Sequence, residues 1–267
     1  MRVRGMAMDA AKPDLRSGYL QSFARGLALI RAFGADSPTL TLSEAAARTG
    51  LTRAGARRIL ITLRELGYVE QEGRDFRLRP KILDLGFSYL SSLSAARIAQ
   101  PIMEELVERV HEPCNLAVLD GSDVIYVARV AAKPFVREDL GIHIGRRFPA
   151  YAAALGRVLL GGLTASELDR YLDKTQLVAL TPRTVTDAAA LREIVARDRK
   201  LGFSYVDQES GERCTIAVPV ADRSRVVAAL GIGWYAGVRN DAETRDRLLP
   251  ELLRAGAEIG TALQKAR

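Results

Sequence analysis

The sequence of 267 residues has few of the side chains that hold metal ions or build disulfide frameworks. It contains two cysteines, Cys114 and Cys214, and two histidines, His111 and His143. Their spacing matches no ligand pattern for zinc or an iron–sulfur cluster. We therefore expect no metal and no cofactor, and two buried thiols rather than a disulfide or a redox pair.

Long apolar runs are also missing. No segment approaches the ~18–20 uninterrupted apolar residues that a membrane-spanning helix needs. Residues 1–18 carry arginines but neither the apolar segment nor the cleavage signal of a secretory leader. These features predict a cytoplasmic protein that has no membrane partner and that begins with a disordered tail at residues 1–18.

Catalytic signatures are absent as well. The sequence has no G-x-S-x-G nucleophile elbow, and the glycines of "GIGWYAG" lack the G-x-G-x-x-G register of a dinucleotide-binding loop. A general base needs a partner within hydrogen-bond reach, and the sequence suggests none for His143. We predict that the chain is not an enzyme.

Positive charge is concentrated in the first third of the chain. The formal net charge is +7, and residues 1–90 hold 15 Lys and Arg against 9 Asp and Glu, while the remainder holds 24 against 23. A local excess of this kind indicates an electrostatic footprint for DNA. The hydrophobic content of 48% predicts an ordinary globular core.

The first third of the chain predicts three helices and a hairpin. Apolar residues at spacings of three and four predict a helix over 19–34. A second helix is predicted with Ser43 as its N-cap and Gly50 at its C-cap, followed by a third over 52–66. Two short extended segments around Gly73 then predict a β-hairpin.

The third predicted helix carries a stripe of arginines. In a helix that turns by about 100° per residue, Arg53, Arg57 and Arg64 fall within a sector of roughly 40°. Apolar side chains occupy the adjoining arc, and Arg58 points elsewhere, toward a flanking stretch of nucleic-acid backbone. A basic stripe is ordinarily a solvated face, but this one follows a short helix and a glycine-containing turn and precedes a hairpin. That order is typical of a winged helix-turn-helix, whose second helix enters the major groove.

This geometry predicts double-stranded operator DNA as a partner. An arginine fork binds guanine bidentately or clamps a phosphate, so Thr52, Arg53 and Arg57 are expected to reach base edges or nearby phosphates. Arg74 and Arg77 of the hairpin, the wing, are expected to touch the adjacent DNA backbone. The predicted DNA-binding residues are Ser43, Thr52, Arg53, Arg57, Arg58, Arg64, Arg74 and Arg77.

From about residue 95 the pattern changes to mixed helices and strands with hairpin-like strand pairs. The predicted strands are "NLAVLD", "DVIYVARV", "LGIHIG", "FSYVD", "CTIAVPV" and "RVVAALGIGW". The predicted helices are "ARIAQPIMEELVERV" and residues 150–161, 164–173, 187–201 and 241–265. The pattern favours an α/β sensor-type domain over a regular βαβ fold.

Several stretches closely resemble one protein family. "SFARGLALIRAF", "LTLSEAAARTGLTRAGARRILITLRELGYV" and "FRLRPKILDLG" resemble the winged helix-turn-helix of the isocitrate-lyase-regulator (IclR) family of bacterial transcription factors. "GRRFPAYAAALGRVLL" and "GFSYVDQESGERCTIAVPVADRSRVVAALGIG" fall in the order and places of the family's second half. The stretch around the arginine stripe is most similar to the branch that controls aromatic-acid catabolism through the β-ketoadipate pathway, which includes protocatechuate and 4-hydroxybenzoate regulators.

The resemblance implies an α+β chain in four parts. These are a tail at residues 1–18, a winged helix-turn-helix domain at 19–79, a linker helix at 80–93 and a GAF-like effector-binding domain at 94–267. It also implies a homodimer formed through the N-terminal module and the linker, and such dimers often pair into homotetramers. The implied effector is a small organic acid, either an aromatic acid or a β-ketoadipate-like acid. Whether the protein activates or represses stays open.

The resemblance further implies the residues of an effector pocket. The matching positions are Ala154, Leu155, Asp207, Cys214, Gly231 and Gly233. Family members that bind very small oxo-acids commonly have serines at the last two positions, so glycine there favours a bulkier effector such as an aromatic acid. Tyr126, Phe148, Tyr151 and Trp234 are candidates to line such a ligand, although each is more often a core residue.

Two adjacent arginines are candidate anchors for the effector's carboxylate. Arg146 and Arg147 precede the predicted helix at 150–161, and guanidinium–carboxylate pairing is strong in a desolvated pocket. The alternatives are that the two arginines hold the loop structurally or form an exposed basic pair. Backbone N–H groups near Ala154 would then bind the anion instead. For the chain as a whole, the alternative is a protein or enzyme that binds a small organic acid and docks through a non-specific basic head.

Overall fold

A computed structural model of the chain describes residues 18–34, 36–132, 142–209, 211–238 and 240–266. The chain divides into two compact units, Met1–Ser88 and Tyr89–Arg267. The predicted tail lies outside the described residues, apart from Gly18. No helix among the described residues is long and apolar enough to cross a membrane.

The described part of the first unit contains three helices and a small antiparallel sheet, followed by a connecting helix. Its elements are α1 (Gln21–Ile30), β1 (Thr39–Thr41), α2 (Leu42–Thr49), α3 (Arg53–Glu65), β2 (Val69–Glu72), β3 (Asp75–Leu78) and, after a 3₁₀ turn at Pro80–Ile82, α4 (Leu83–Ser92). The three predicted helices and the hairpin are therefore confirmed. The division between the units falls within α4, the predicted linker helix.

Strand β1 was not predicted from the sequence. It pairs with β3 rather than with a neighbour in the chain, and the strand order is β1-β3-β2. Three residues are too short a segment for an alternating pattern to be visible, and their partner lies more than 30 positions further along. Leu40 of β1 and Phe76 of β3 face each other in register and are buried in the core of this unit.

The start of α2 differs from the prediction. Its N-cap is Thr41 and not Ser43, which lies exposed inside the first turn. The Thr41 hydroxyl accepts a hydrogen bond from the Glu44 N–H (3.3 Å), and the Glu44 carboxylate accepts one from the Thr41 N–H (2.8 Å). This reciprocal pair is a capping box, and the hydrogen bonds from Thr41 lower the pKa of the Glu44 carboxyl. Gly50 ends α2 in the left-handed conformation, with φ of 65°, as predicted.

The second unit, in its described residues, forms one six-stranded antiparallel sheet flanked by helices. Its elements are α5 (Ser94–Val110), β4 (Cys114–Asp120), β5 (Asp123–Val130), β6 (Arg147–Pro149), α6 (Ala154–Gly161), α7 (Ala165–Lys174), α8 (Ala188–Leu201), β7 (Ser204–Asp207), β8 (Arg213–Asp222), β9 (Arg225–Tyr235) and α9 (Asp241–Lys265). The strand order is β6-β5-β4-β9-β8-β7. The antiparallel order excludes a regular βαβ fold, as the sequence predicted.

The predicted strand "LGIHIG" is wrong in its described part. Residues 142–145 are not a strand, and residues 140–141 lie outside the described residues. Gly145 has φ of 86°, and the Arg146 N–H donates to the His143 carbonyl (3.0 Å), so the chain turns here. The edge strand β6 begins only after this turn.

The two faces of the large sheet bury separate apolar cores. One face packs against α5 and α9 and includes Cys214 and Ile216, whereas the other packs against α6 and includes Ala217 and Ala229. Successive side chains of a strand point to opposite faces, so neighbours in sequence belong to different cores. Cys114 and Cys214 are buried free thiols, as predicted, and burial raises the pKa of both.

We expect Thr41→Ala to lower the free energy of unfolding of the first unit by ~1 kcal/mol, because the first turn of α2 loses its cap. Ser43→Ala is the matched control and should change it by less than ~0.5 kcal/mol, since Ser43 is exposed and caps nothing. Urea denaturation followed by circular dichroism measures both. Equal losses for the two variants would contradict the assignment of Thr41 as the cap.

Candidate functional site

A cleft of about 540 Å³ lies between α3 and the β2–β3 hairpin. Among the described residues, four arginines line it: Arg53, Arg57 and Arg64 from α3, and Arg74 from the hairpin turn. Ser43, at the start of α2, also lines the cleft. Thr52 begins α3, where its hydroxyl accepts a hydrogen bond from the Gly55 N–H (3.1 Å). Because Thr52 sets the start of α3 and the helix period sets the spacing, the arginine stripe of α3 faces the hairpin.

The arginines of this cleft have little acidic compensation. Arg53, Arg57 and Arg74 make no hydrogen bond or ion pair with any residue that the structure describes. Arg64 donates to the Glu65 carboxylate (3.0 Å) and to the Gln71 side chain (3.4 Å), at the protein surface. Clustered cations without anionic partners repel each other, and a polyanion relieves that repulsion.

Three of the predicted DNA-binding residues do not line the cleft, namely Thr52, Arg58 and Arg77. Arg58 is exposed on another side of α3. Arg77 lies on β3 directly across from Glu70, to whose carboxylate it donates, and its guanidinium is 3.9 Å from Glu72. The pleat explains this placement, because Phe76 points into the core and its neighbour Arg77 points to the opposite face of the wing. The carboxylates of the wing therefore neutralise Arg77 within the protein.

The second unit contains a cavity of about 340 Å³ on the α6 side of its sheet. Its lining comprises Asn115, Tyr126, Ile142, Arg146, Phe148, Ala153, Ala154, Leu155, Val206, Gly211, Glu212, Arg213, Thr215, Gly233 and Tyr235. Four residues predicted from the sequence are thus brought together, namely Arg146, Ala154, Leu155 and Gly233. Tyr126 and Phe148 also line it, with ring centroids 5.8 Å apart. The other two aromatic candidates, Tyr151 and Trp234, are buried in the two cores instead.

The two candidate anchor arginines differ in their partners. Arg147 donates to the carboxylates of Asp120 (2.8 Å) and Asp123 (3.0 Å), so it ties β6 to the β4–β5 turn and does not line the cavity. Arg146 is exposed, lies over the Phe148 ring at 5.1 Å and makes no ion pair with a described residue. Its charge is consequently available to an anion in the cavity.

Asp207 and Cys214 do not line the cavity, which corrects their assignment to the pocket. They pair in register on β7 and β8, and the Cys214 thiol donates to Asp207 (3.3 Å) on the opposite face of the sheet. Asp207 also accepts from Arg183. Burial opposes ionisation of Asp207, but hydrogen bonds from Gln208 and Cys214 and the charge of Arg183 outweigh it and lower the pKa of that carboxyl.

Gly231 also lies outside the cavity lining, for a different reason. A β-carbon at Gly231 would lie 2.9 Å from the Leu155 side chain of α6. The glycine therefore admits the helix rather than a larger effector. Gly233, two residues along β9, does line the cavity, and its contact with an effector stays a prediction.

The sequence interpretation missed polar residues next to those it chose. Arg213 and Thr215 flank Cys214 on β8, and the strand alternation points both to the cavity face. The Arg213 guanidinium lies over the Tyr235 ring at 4.7 Å. Asn115 was also missed. It lies in an apolar strand, where a buried amide requires hydrogen-bond partners. Alternation along the two strands was the signal that would have identified these residues.

The start of α6 presents backbone donors to the cavity. Its N-cap, Ala153, has no side-chain hydrogen bond to the helix. The N–H groups of Ala154 and Leu155 have no hydrogen-bond partner among the described residues, and both residues line the cavity. A helix start of this kind favours an anion. No cluster of His, Cys, Asp and Glu that fits a metal ion occurs in the described part of the chain.

Comparison with known proteins relates both units to one family. The helix-turn-helix domain of IclR matches residues 22–73, and the C-terminal domain of the bacterial transcriptional regulator IclR matches residues 87–261. The chain belongs to the IclR family. It is therefore a transcriptional regulator with a DNA-binding helix-turn-helix domain, and not an enzyme.

Relatives of this IclR-family chain include regulators of aromatic-acid catabolism. It is 40% identical over 245 residues to the Pca regulon regulatory protein of Pseudomonas putida, which covers 90% of this chain and 83% of that protein. It is 32% identical over 252 residues to the p-hydroxybenzoate hydroxylase transcriptional activator of Acinetobacter baylyi, covering 90% of this chain and 91% of that one. The predicted resemblance to this branch of the IclR family is confirmed.

Solved structures agree with this assignment. A transcriptional regulator from Rhodococcus sp. RHA1 is 42% identical, with a TM-score of 0.82 and coverage of 93% of this chain and all of that one. An IclR homolog from Microbacterium hydrocarbonoxydans, in complex with 4-hydroxybenzoate, is 25% identical, with a TM-score of 0.78 and coverage of 92% of this chain and all of that one. The predicted fold class is confirmed.

Arg57→Ala should weaken binding to the specific operator by ~1–3 kcal/mol and binding to random DNA much less, if Arg57 reads a base. Arg58→Ala is the matched control, since Arg58 is exposed on the same helix but outside the cleft. Fluorescence anisotropy at fixed salt, on duplexes from the intergenic DNA upstream of the gene and on a scrambled duplex, measures both. Equal losses on the two duplexes would make Arg57 a phosphate contact.

Proposed function

We propose that this IclR-family regulator controls a catabolic operon for an aromatic acid and that a small organic acid in the cavity modulates its binding to DNA or its activation of transcription. The observation that carries the proposal is a cavity that combines aromatic rings, from Tyr126 and Phe148, with the guanidinium of Arg146, which forms no ion pair with any residue that the structure describes. A flat ring packs against aromatic side chains, and positive charge attracts a carboxylate. The related regulators and the 4-hydroxybenzoate complex of a homolog support this choice.

On the DNA side, we propose that α3 enters the major groove. Arg53 and Arg57 would reach base edges or nearby phosphates, and Arg74 of the wing would reach the adjacent backbone, because these residues line one cleft and pair with no described carboxylate. Arg77 is a weaker candidate than the sequence suggested, since a phosphate would have to compete with Glu70. Binding to operator DNA implies that the protein acts in the cytoplasm of its bacterium.

We further propose that the protein is a homodimer, with pairing of dimers into tetramers open. Apolar side chains are exposed on α1, where Phe23 is 66% exposed, and on α4, where Leu83 and Phe87 are each 69% exposed. Several large apolar side chains exposed on one surface are typical of a site that contacts another protein. They support dimer contacts through residues 19–79 and the linker helix 80–93, and a two-fold dimer suits a palindromic operator.

The test of the proposed function measures DNA binding and the response to ligand together. Anisotropy on the upstream intergenic duplex and on a scrambled duplex would be recorded at fixed salt, with protocatechuate, 4-hydroxybenzoate and β-ketoadipate each titrated in. We expect the native duplex to be preferred and one acid to alter that binding. An effector acts only through its difference in affinity for two states of the protein. Salt-sensitive binding without sequence preference would instead favour the non-specific basic head.

The arginine pair provides a matched prediction for the cavity. Arg146→Ala should weaken binding of the acid effector roughly three- to tenfold, because it removes positive charge from the cavity rim. Arg147→Ala should leave that affinity nearly unchanged and should lower the melting temperature, since two ion pairs between β6 and the β4–β5 turn are lost. Isothermal titration calorimetry and thermal denaturation separate the two effects. The reverse pattern would show that Arg147 is the anchor.

A further inference from the structure

A buried asparagine lines the cavity, and its side-chain donor has no partner among the described residues. Asn115 lies on the central strand β4, is 5% exposed and lines the cavity. Its side-chain oxygen accepts a hydrogen bond from Arg129 (3.0 Å), the residue paired with it on β5. A guanidinium has only donors, so the amide oxygen must face Arg129. The amide nitrogen consequently points away from Arg129, and it has no hydrogen-bond partner among the described residues.

This donor lies beside the start of α6. Asn115 is in register with Gly231 on β9, and the Leu155 side chain of α6 packs directly on Gly231. Ala154 and Leu155, whose N–H groups are without described partners, also line the cavity. The register and the Leu155 contact therefore place one side-chain amide near the first backbone donors of α6.

Donors that converge in a buried site call for a ligand group with several acceptor lone pairs. An ionised carboxylate has such lone pairs and no donor, whereas a hydroxyl would bring a hydrogen that also needs a partner. Burying a carboxylate is costly unless several N–H groups bind it, and a helix start lowers that cost further. Arg146, by contrast, is exposed at the rim, where water screens its charge.

We infer that Asn115 binds the carboxylate of the effector, together with the start of α6, and that Arg129 is a positioning residue that holds the Asn115 amide in the donating orientation. This inference rests on the proposed function, because it takes the effector to be an aromatic acid bound in this cavity. It assigns the direct hydrogen bonds to the carboxylate to Asn115 and the start of α6, while Arg146 at the rim adds only a longer-range attraction for the anion.

The test compares an acid with its uncharged amide, 4-hydroxybenzoate with 4-hydroxybenzamide, by isothermal titration calorimetry. The wild-type protein should prefer the acid, because the benzamide NH₂ group would face donors. Asn115→Ala should weaken binding of the acid on the order of tenfold and binding of the amide far less. A residue that only shaped the cavity would weaken both ligands alike. Melting temperature and operator affinity without ligand serve as controls for folding.

Variants of Arg129 test the orientation of the amide with Asn115 in place. Arg129→Met removes the donor that orients the amide and should lower the acid-over-amide preference, whereas Arg129→Lys keeps a donor and should restore most of it. The Arg129 variants also test the inference if Asn115→Ala does not fold. Equal losses of acid and amide, or no loss, would overturn the inference and leave the proposed function intact. A wild-type protein that binds none of 4-hydroxybenzoate, protocatechuate and β-ketoadipate would overturn both.

Discussion

The alternation of side chains along β8 and β9 is the constraint on which the second unit depends. From Arg213 to Val220 and along the facing part of β9, side chains alternate between the core under α5 and α9 and the side of α6, which holds the second core and the cavity. Cys214 therefore belongs to a core, while Thr215 beside it belongs to the cavity. A strand shifted by one residue would exchange the two sets and would destroy both the core and the site.

Helix α6 completes the site because the sheet makes room for it. Gly231 lets Leu155 approach the sheet, and Gly156 lets the helix approach the backbone of Ala150, where a β-carbon would lie 2.1 Å from the carbonyl oxygen. The N-cap of α6 is Ala153, whose methyl group cannot accept a hydrogen bond, so the first turn that lines the cavity has no side-chain cap. A capped helix start would offer an anion fewer backbone donors.

In the first unit, ion pairing decides which arginines remain available. Arg53, Arg57 and Arg74 surround the cleft without described acidic partners, whereas Arg77 is held by Glu70 across the wing. These arginines contribute to the positive charge of the first third of the chain and suit a polyanionic partner. The exposed apolar side chains of α1 and α4 belong to the same unit, which joins DNA recognition and proposed dimer contacts in one small module.

The sequence by itself determined the helices, most of the strands, the arginine stripe on α3 and the IclR family, because these depend on local periodicity, turn residues and contiguous motifs. It also indicated Arg146, Ala154, Leu155 and Gly233. Only the tertiary structure decided that β1 pairs with β3, that Thr41 caps α2 and that Arg147 is engaged by Asp120 and Asp123. It likewise decided which side of the sheet each candidate faces and brought Asn115 to the start of α6. These outcomes depend on residues far apart in the chain that compete for hydrogen bonds, charges and space. No local sequence pattern contains that information.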